Sequence, residues 1–241
     1  MTSAKVLVFV PFFNDSEHLL AIAEELASLS LPSQLLLIDD GSRNTTTAAE
    51  SASWLDRRVL HVRLPTNFGL GVCTNVAFDF ALRHGFDVVV RVDADGQHPL
   101  GRIAEMVSLL AGGQADVAVG IRQIGKQRSL ESFSRRLVRG YFATCARLIT
   151  GETWLSDVNT GFFAANRRAV SVLNSYELDR YPEPQFFVRA ARAGLRLAPV
   201  MVDQKDRMFG KSTLNFTEAI KMIYRFNVLM LSELLTPGTR P

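Results

Sequence analysis

Short apolar runs alternate with helical patterns in the first half of the chain, and this alternation restricts the fold more than any other feature. Each run is short and apolar, as is typical of a buried strand. Strands that alternate with helices form βαβ units and pair in parallel. We therefore expect an α/β fold with a mostly parallel central sheet flanked by helices. The predicted strands span residues 6–10, 34–39, 59–64, 88–93 and 117–120.

Helical patterns are found between and after these strands. The first follows the polar residues Asn14, Asp15 and Ser16, whose side chains are expected to cap its free backbone N–H groups. A further strand is predicted at 197–202, in the second half of the chain. The other predicted helices span residues 72–82, 99–110, 126–148, 184–193 and 216–235.

The composition fits one folded domain over residues 1–241. Of the 241 residues, 47% are hydrophobic and 21% charged, and no low-complexity run marks a linker. Cys73 and Cys145 lack the spacing of a metal site and are expected to be reduced. No apolar run reaches the roughly eighteen residues of a membrane span. The net charge of +3 suits phosphate-bearing partners or an anionic membrane surface, and no nucleic acid partner is expected.

Polar or acidic segments follow four of the predicted strands. Ligands of α/β sheets bind beyond the carboxyl ends of the strands, so these segments form the candidate site. Asp93 and Asp95 can hold a hard divalent cation that phosphate oxygens also bind. Such a cation stabilises the charge that develops on a diphosphate leaving group. An acidic pair at a strand end is also compatible with a purely structural role. The segments span residues 11–15, 39–42, 67–71 and 93–98.

Several motifs in a fixed order resemble one enzyme family across nearly the whole chain. The family is that of the family 2 glycosyltransferases of GT-A fold, and the sequence is most similar to its dolichol- and polyprenyl-phosphate sugar transferases. The resemblance implies a nucleotide-sugar-binding half at 1–122, an acceptor half at 123–212 and a C-terminal amphipathic helix at 213–241. The motifs read VPFFND, LLIDDGS, NFGLGVCTN, VVVRVDADGQHP, VGIRQ, SDVNTGFFAANRRAV, YPEPQFFVRAARAG and RMFGKST.

The resemblance also implies roles for individual residues. A UDP- or GDP-linked sugar would be the donor, with Mg²⁺ or Mn²⁺ as the cofactor. Asp93 and Ala94 would line the sugar nucleotide, and Asp95, with Gln97 nearby, would hold the metal ion. The expected nucleoside contacts are Pro11, Phe13, Asp15 and Asp40, and the expected contacts to the diphosphate or the acceptor phosphate are Arg122, Arg207 and Lys211.

The nature of the acceptor decides whether a general base is needed. A sugar hydroxyl must lose a proton, whereas a lipid phosphate is already an anionic nucleophile. Asp157 and Glu183 are the candidate bases, although Glu183 is equally compatible with a helix-start carboxylate and Asp157 with a turn cap. Gln185 stands where the resemblance leads us to expect glutamate. Arg207 also has an expected catalytic role, since its loop could close over an anion, although a solvated basic loop is the alternative.

The last predicted helix has apolar residues at spacings of three and four, and its final turns are apolar nearly all round. This pattern favours either packing in the core or a dimer, or contact with a membrane. We expect a cytoplasmic protein that is peripheral on the cytoplasmic face of the membrane. A homo-oligomer or a membrane partner protein is compatible with the sequence.

Three functions follow from these observations. The first is an inverting, metal-dependent transfer of a sugar to polyprenyl phosphate, and the second is transfer to a hydroxyl of a lipid-linked or envelope glycan. The third is a catalytically silent partner subunit, against which the intact Asp93, Asp95 and Arg207 argue. The sequence favours the lipid phosphate acceptor.

Overall fold

A computed structural model describes most of the chain and places seven strands in one sheet. The strands are β1 (Val6–Phe12), β2 (Ser33–Asp39), β3 (Val59–Arg63), β4 (Val88–Arg91), β5 (Val117–Arg122), β6 (Phe163–Asn166) and β7 (Leu197–Val202). The described residues are 4–29, 31–43, 59–122, 140–145, 147–148, 151, 154–155, 160–176, 178, 180, 182–203, 223–228 and 230–232.

The strands follow the order β3-β2-β1-β4-β6-β5-β7 across the sheet. All of the paired strands run parallel except β6, which is antiparallel to both β4 and β5. The predicted α/β fold with a mostly parallel sheet is therefore confirmed. The sheet contains strands from both the 1–122 and the 123–212 segments, while the boundaries of these segments stay predictions.

Helices cover both faces of the sheet because neighbouring residues of each strand point to opposite sides. In β1, Leu7 and Phe9 belong to the apolar core on one face of the sheet, called here the first apolar layer. Val8 and Val10 belong to the core on the opposite face, the second apolar layer. The helices are α1 (Leu19–Ser28), α2 (Leu70–Arg83), α3 (Ile103–Ala111), α4 (Arg167–Asn174) and α5 (Glu183–Arg192). The first layer contains residues of α2, α4 and α5, and the second contains residues of α1 and α3.

Some local predictions differ from the structure. The N-cap residue of α1 is His18, whose side chain makes no capping hydrogen bond. The side chain of Asn14, which was predicted to cap this helix, accepts a hydrogen bond from the backbone N–H of Arg43. Strand β4 ends at Arg91, before Asp93. Neither β6 nor α4 was predicted as an element. Cys73 and Cys145 are free thiols, as expected.

Further helical residues are described at 140–145, 147–148, 223–228 and 230–232, within the helices predicted at 126–148 and 216–235. They pack together through Phe142 and Phe226, whose ring centroids are 4.7 Å apart. Among the described residues, no helix is long and apolar enough to cross a membrane.

Candidate active site

The loops that follow β1 and β2 are joined by hydrogen bonds. The backbone N–H of Asn14 donates to Ser42 Oγ at 2.8 Å, and the backbone N–H of Arg43 donates to Asn14 Oδ1 at 2.9 Å. Asn14 has a φ of 53°, a left-handed conformation that asparagine tolerates better than most residues. Of the predicted nucleoside contacts, Pro11 is buried in β1, whereas Phe13 and Asp15 are exposed beside this junction.

Asp40 fixes the loop that follows β3. Its two carboxylate oxygens accept hydrogen bonds from the backbone N–H groups of Phe68 and Gly69, each at 2.8 Å. The neighbouring Gly41 has a φ of +75°, and a Cβ there would lie 2.4 Å from the backbone of Thr66. Asp40 therefore fixes the segment 67–71, which follows β3, against the loop after β2. The predicted contact of Asp40 with the nucleoside stays a prediction.

Asp93 lies beyond the end of β4 and is held from several sides. Its Oδ1 accepts a hydrogen bond from Arg91 Nη2 at 3.1 Å, and its Oδ2 lies 3.2 Å from His98 Nε2. A Cβ on Gly161 would lie 2.3 Å from both carboxylate oxygens, so the carboxylate rests directly on that glycine. The side chain is 35% exposed, which leaves one side of a fixed carboxylate open to a ligand.

The charge of Asp93 is stabilised despite partial burial. Burial by itself raises the pKa of the carboxyl, but Arg91 and His98 more than offset this effect and hold the pKa well below its usual range. Asp93 is therefore a carboxylate at neutral pH.

Asp95 and Gln97 share the loop with Asp93. The backbone N–H of Gln97 donates to Asp95 Oδ1 at 3.1 Å, and both residues are partly exposed. Ala94 between the two carboxylates is only 7% exposed and packs in the second apolar layer. The described residues include no cluster of three acidic, histidine or cysteine side chains that could hold a metal ion. The oxygen ligands present fit a Mg²⁺-type ion that takes its other ligands from substrate phosphates and water.

Glu183, a candidate base, begins α5 and is buried. Its Oε1 accepts a hydrogen bond from Arg91 Nη2 at 2.6 Å, and the residue is 8% exposed. Burial raises the pKa of Glu183 above its usual value, and the charge of Arg91 offsets this rise only in part. The carboxylate is therefore the partner of a permanently charged guanidinium.

Arg91 is a site residue that sequence reasoning missed. The signal was present, because an arginine within the apolar run Val88–Arg91 has to be buried and a buried charge needs a partner. Asp157, Arg207 and Lys211 lie outside the described residues. Arg122 ends β5, and its side chain is outside the described part of the chain. The predicted phosphate contacts therefore stay predictions.

The mostly parallel sheet, with acidic loops at the carboxyl ends of β1, β2 and β4, is the arrangement expected for a glycosyltransferase of GT-A fold. A sequence model of Glycosyl transferase family 2 matches residues 7–172, and the chain belongs to this family. The chain is a member of an enzyme family, and the predicted glycosyltransferase class is confirmed.

Two curated relatives align with most of the chain. The polyprenol monophosphomannose synthase of Mycolicibacterium smegmatis is 27% identical over 233 residues, which are 93% of this chain and 87% of that protein. The undecaprenyl-phosphate mannosyltransferase of Micrococcus luteus is 27% identical over 222 residues, with 88% of each chain covered. The predicted resemblance to polyprenyl-phosphate sugar transferases is confirmed.

Solved structures support the fold independently. Glucosyl-3-phosphoglycerate synthase from Mycobacterium tuberculosis, in complex with UDP, superposes with a TM-score of 0.70 at 17% identity and covers 98% of this chain and 82% of its own. The same enzyme with Mn²⁺, UDP and glucosyl-3-phosphoglycerate gives a TM-score of 0.67 at 16% identity, with the same shares of the two chains covered. At this identity the likeness shows the GT-A fold alone.

Proposed function

We propose that the protein transfers a sugar, with inversion, from a nucleoside diphosphate sugar to polyprenyl phosphate. The observation that carries this proposal is the ion pair of Glu183 with Arg91, at 2.6 Å in a buried site, which engages the one candidate base among the described residues. A carboxylate held by a buried guanidinium is poorly placed to take a proton from an acceptor hydroxyl. A lipid phosphate needs no such base, because it is already an anionic nucleophile.

The relatives support the same acceptor. The proteins of Mycolicibacterium smegmatis and Micrococcus luteus are both named for mannose transfer to a polyprenyl phosphate, and each aligns with most of this chain. For the donor we propose a UDP- or GDP-linked sugar, since a solved structure of the same fold contains UDP and Mn²⁺.

The described residues then have distinct tasks in the reaction. Asp95 and Gln97 would hold Mg²⁺ or Mn²⁺, which neutralises charge on the leaving diphosphate when bound. Asp93 orients the sugar nucleotide with a carboxylate that Arg91 and His98 keep in place. Attack by the acceptor oxygen from the opposite side of the sugar, in a single displacement, inverts the anomeric carbon. Arg122, Arg207 and Lys211 are our candidates for binding the two phosphate groups.

A membrane surface is the proposed location, on its cytoplasmic face. Between residues 223 and 232, Phe226 and Met230 are buried in the core, as the packing interpretation of this helix expected. Tyr224, Val228 and Leu231 are exposed by 69%, 51% and 58%. Exposed apolar side chains on a helix favour contact with the lipid phase that carries the acceptor.

The test is a transfer assay with a panel of UDP- and GDP-sugars, Mg²⁺ or Mn²⁺, and two matched acceptors. Polyprenyl phosphate and polyprenol differ only in the phosphate group, so they separate a phosphate acceptor from a hydroxyl acceptor. We expect metal-dependent product on polyprenyl phosphate alone. Asp95→Ala should abolish it, whereas Asp79→Ala, which alters a half-exposed acidic residue of α2, should retain it.

Other outcomes would contradict the proposal. Product on the polyprenol hydroxyl but not on the lipid phosphate would show a hydroxyl acceptor and contradict the proposal. A protein that binds no nucleotide sugar even with metal present would instead be a partner subunit without catalytic activity.

A further inference from the structure

Arg91 is the largest of the fully buried side chains in the described part of the protein, with 1% of its surface exposed. It lies in β4, between β1 and β6 in the middle of the sheet. A guanidinium loses its hydration in such a place, so its burial costs free energy unless anionic partners compensate. The role of Arg91 therefore depends on the partners that it binds.

The partners of Arg91 come from two different parts of the site. The same nitrogen, Nη2, donates to Asp93 Oδ1 at 3.1 Å and to Glu183 Oε1 at 2.6 Å. Nε and Nη1 are buried and have no acceptor among the described residues. The two carboxylates are therefore the partners that stabilise this charge within the described chain.

The direction of the strand explains why Arg91 and Asp93 meet. Val90 and Val92 pack in the second apolar layer. Arg91 and Asp93 alternate with them along the chain and therefore face the first layer, where α5 lies. Glu183 is the first residue of α5 and approaches Arg91 from that side. One cation thus connects the loop after β4 with the start of α5.

The opposite side of Asp93 is equally constrained. His98 Nε2 lies 3.2 Å from Oδ2, and the His98 ring stacks on Phe162 with centroids 4.9 Å apart. Gly161 packs directly against the Asp93 carboxylate. With Arg91 on Oδ1 and His98 on Oδ2, the orientation of the Asp93 carboxylate is set before a ligand binds.

We propose that Arg91 is a positioning residue, which orients Asp93 for the sugar nucleotide and uses Glu183 as its counter-ion, so that Glu183 is not a general base. A guanidinium suits this task because it is rigid and always charged. Its hydrogen bonds also act in a low-dielectric interior, where they are stronger than in water. The inference rests on the proposed function for the role of Asp93 and adds to it the residue that aligns this carboxylate.

The central variant is the double substitution Arg91→Met with Glu183→Met. It removes both members of the buried ion pair and replaces them with apolar side chains, a change that folded proteins often tolerate. Asp93 keeps its chemistry in this variant but loses its guanidinium partner. The matched control is Arg196→Met, which removes an ion pair to Asp116 just before β5, two strands away from β4 in the sheet.

Three measurements distinguish positioning from a purely structural role. Amide hydrogen exchange of residues 93–98 is measured on the protein without ligands, donor affinity is measured with metal, and transfer gives kcat and KM. We expect exchange of this loop to accelerate about tenfold and kcat to fall about 10- to 100-fold in the double variant, as for a misplaced reacting group. The Arg196→Met protein should match the wild type in all three.

A double variant with wild-type loop protection, donor affinity and kcat would overturn the proposal, because the pair would then be only part of the core. Should the double variant not fold, Arg91→Lys serves the same purpose, since lysine keeps the charge and loses the planar fork. We expect the kcat of Arg91→Lys to fall, but by less than the loss of about 10- to 100-fold expected for the double variant. Wild-type values would again overturn the proposal.

Glu183→Gln tests the counter-ion role separately. The amide oxygen can still accept from Arg91, so we expect kcat on polyprenyl phosphate to fall less than about tenfold, below the 10²- to 10⁴-fold effect of losing a general base. A loss in that larger range with unchanged exchange of residues 93–98 would identify Glu183 as the base and refute the assignment. If the wild type transfers no sugar to polyprenyl phosphate, the proposed function fails, while loop exchange and donor affinity still decide the role of Arg91.

Discussion

Gly161 offers a way to move Asp93 without changing its chemistry. A Cβ at position 161 would lie 2.3 Å from both carboxylate oxygens of Asp93, whereas real Cβ contacts essentially never fall below 3.0 Å. In Gly161→Ala the carboxylate must therefore retreat. Its contacts with Arg91 at 3.1 Å and with His98 at 3.2 Å are then lengthened or lost.

The structure sets the size of the expected effect. A hydrogen bond to a charged group contributes about 1.5–3 kcal/mol, and water can replace part of this at a carboxylate that is one-third exposed. We expect Gly161→Ala to destabilise the protein by about 1–3 kcal/mol and to lower Tm by about 2–10 °C. Displacement of a reacting group by about 1 Å costs up to about 100-fold, so kcat/KM for transfer should fall about 10- to 100-fold.

The assay measures kcat/KM for transfer, donor affinity at equilibrium and the thermal midpoint. Gly101→Ala is the matched control, because a Cβ there meets no atom within 4 Å and its backbone is not left-handed. We expect wild-type values for that protein. Wild-type kcat/KM and donor affinity in Gly161→Ala would refute the reasoning, since the carboxylate would then have moved without consequence.

Two further predictions concern groups outside the transfer site. Burial raises the pKa of the Cys73 thiol to about 12. Iodoacetamide at pH 8 should therefore modify Cys145 in the native protein and leave Cys73 unmodified, which mass spectrometry can measure. Comparable labelling of both cysteines would contradict the burial of Cys73. At Asp116, burial raises the pKa, but hydrogen bonds from Arg196 and Asn166 more than offset it and hold the pKa below the usual value. The stabilising effect of the Asp116 carboxylate is present above the unfolded pKa of about 3.9 and is lost as the pH falls below that value. The free energy of unfolding should therefore decline more steeply below pH 5 in the wild type than in Asp116→Asn. Equal slopes of this free energy against pH, measured by denaturant titration, would contradict the prediction.

The strands that are apolar along their whole length were predictable from the sequence, and β7 (Leu197–Val202) has the predicted bounds. Strand β6 was missed because Phe163–Asn166 has four residues, two of them alanine, and carries little strand signal. It is stabilised by pairing with β4 and β5, which lie far from it in sequence. Tertiary pairing of this kind leaves no local pattern.

The acidic residues of the candidate site were found because they end predicted strands, and Asp93 and Asp95 share one loop as expected. The partner of each carboxylate could not be predicted in the same way. Asp40 binds two backbone N–H groups of the loop after β3, and Glu183 binds Arg91 across 92 positions of sequence. A sequence shows that a carboxylate is present, whereas its neighbours are set by how distant loops pack.

The reversed direction of β6 connects these observations. Because β6 is antiparallel to β4, with Phe163 opposite Arg91, the chain just before β6 lies beside the chain just after β4. Continuing this register places Gly161 opposite Asp93, and side chains opposite each other in an antiparallel pair share one face of the sheet. A side chain at position 161 would therefore project toward the carboxylate, which agrees with the 2.3 Å that would separate a Cβ there from both carboxylate oxygens. Strand β6 thus places the residues that precede it beside Asp93. A parallel strand in the same position would place the residues that follow it there.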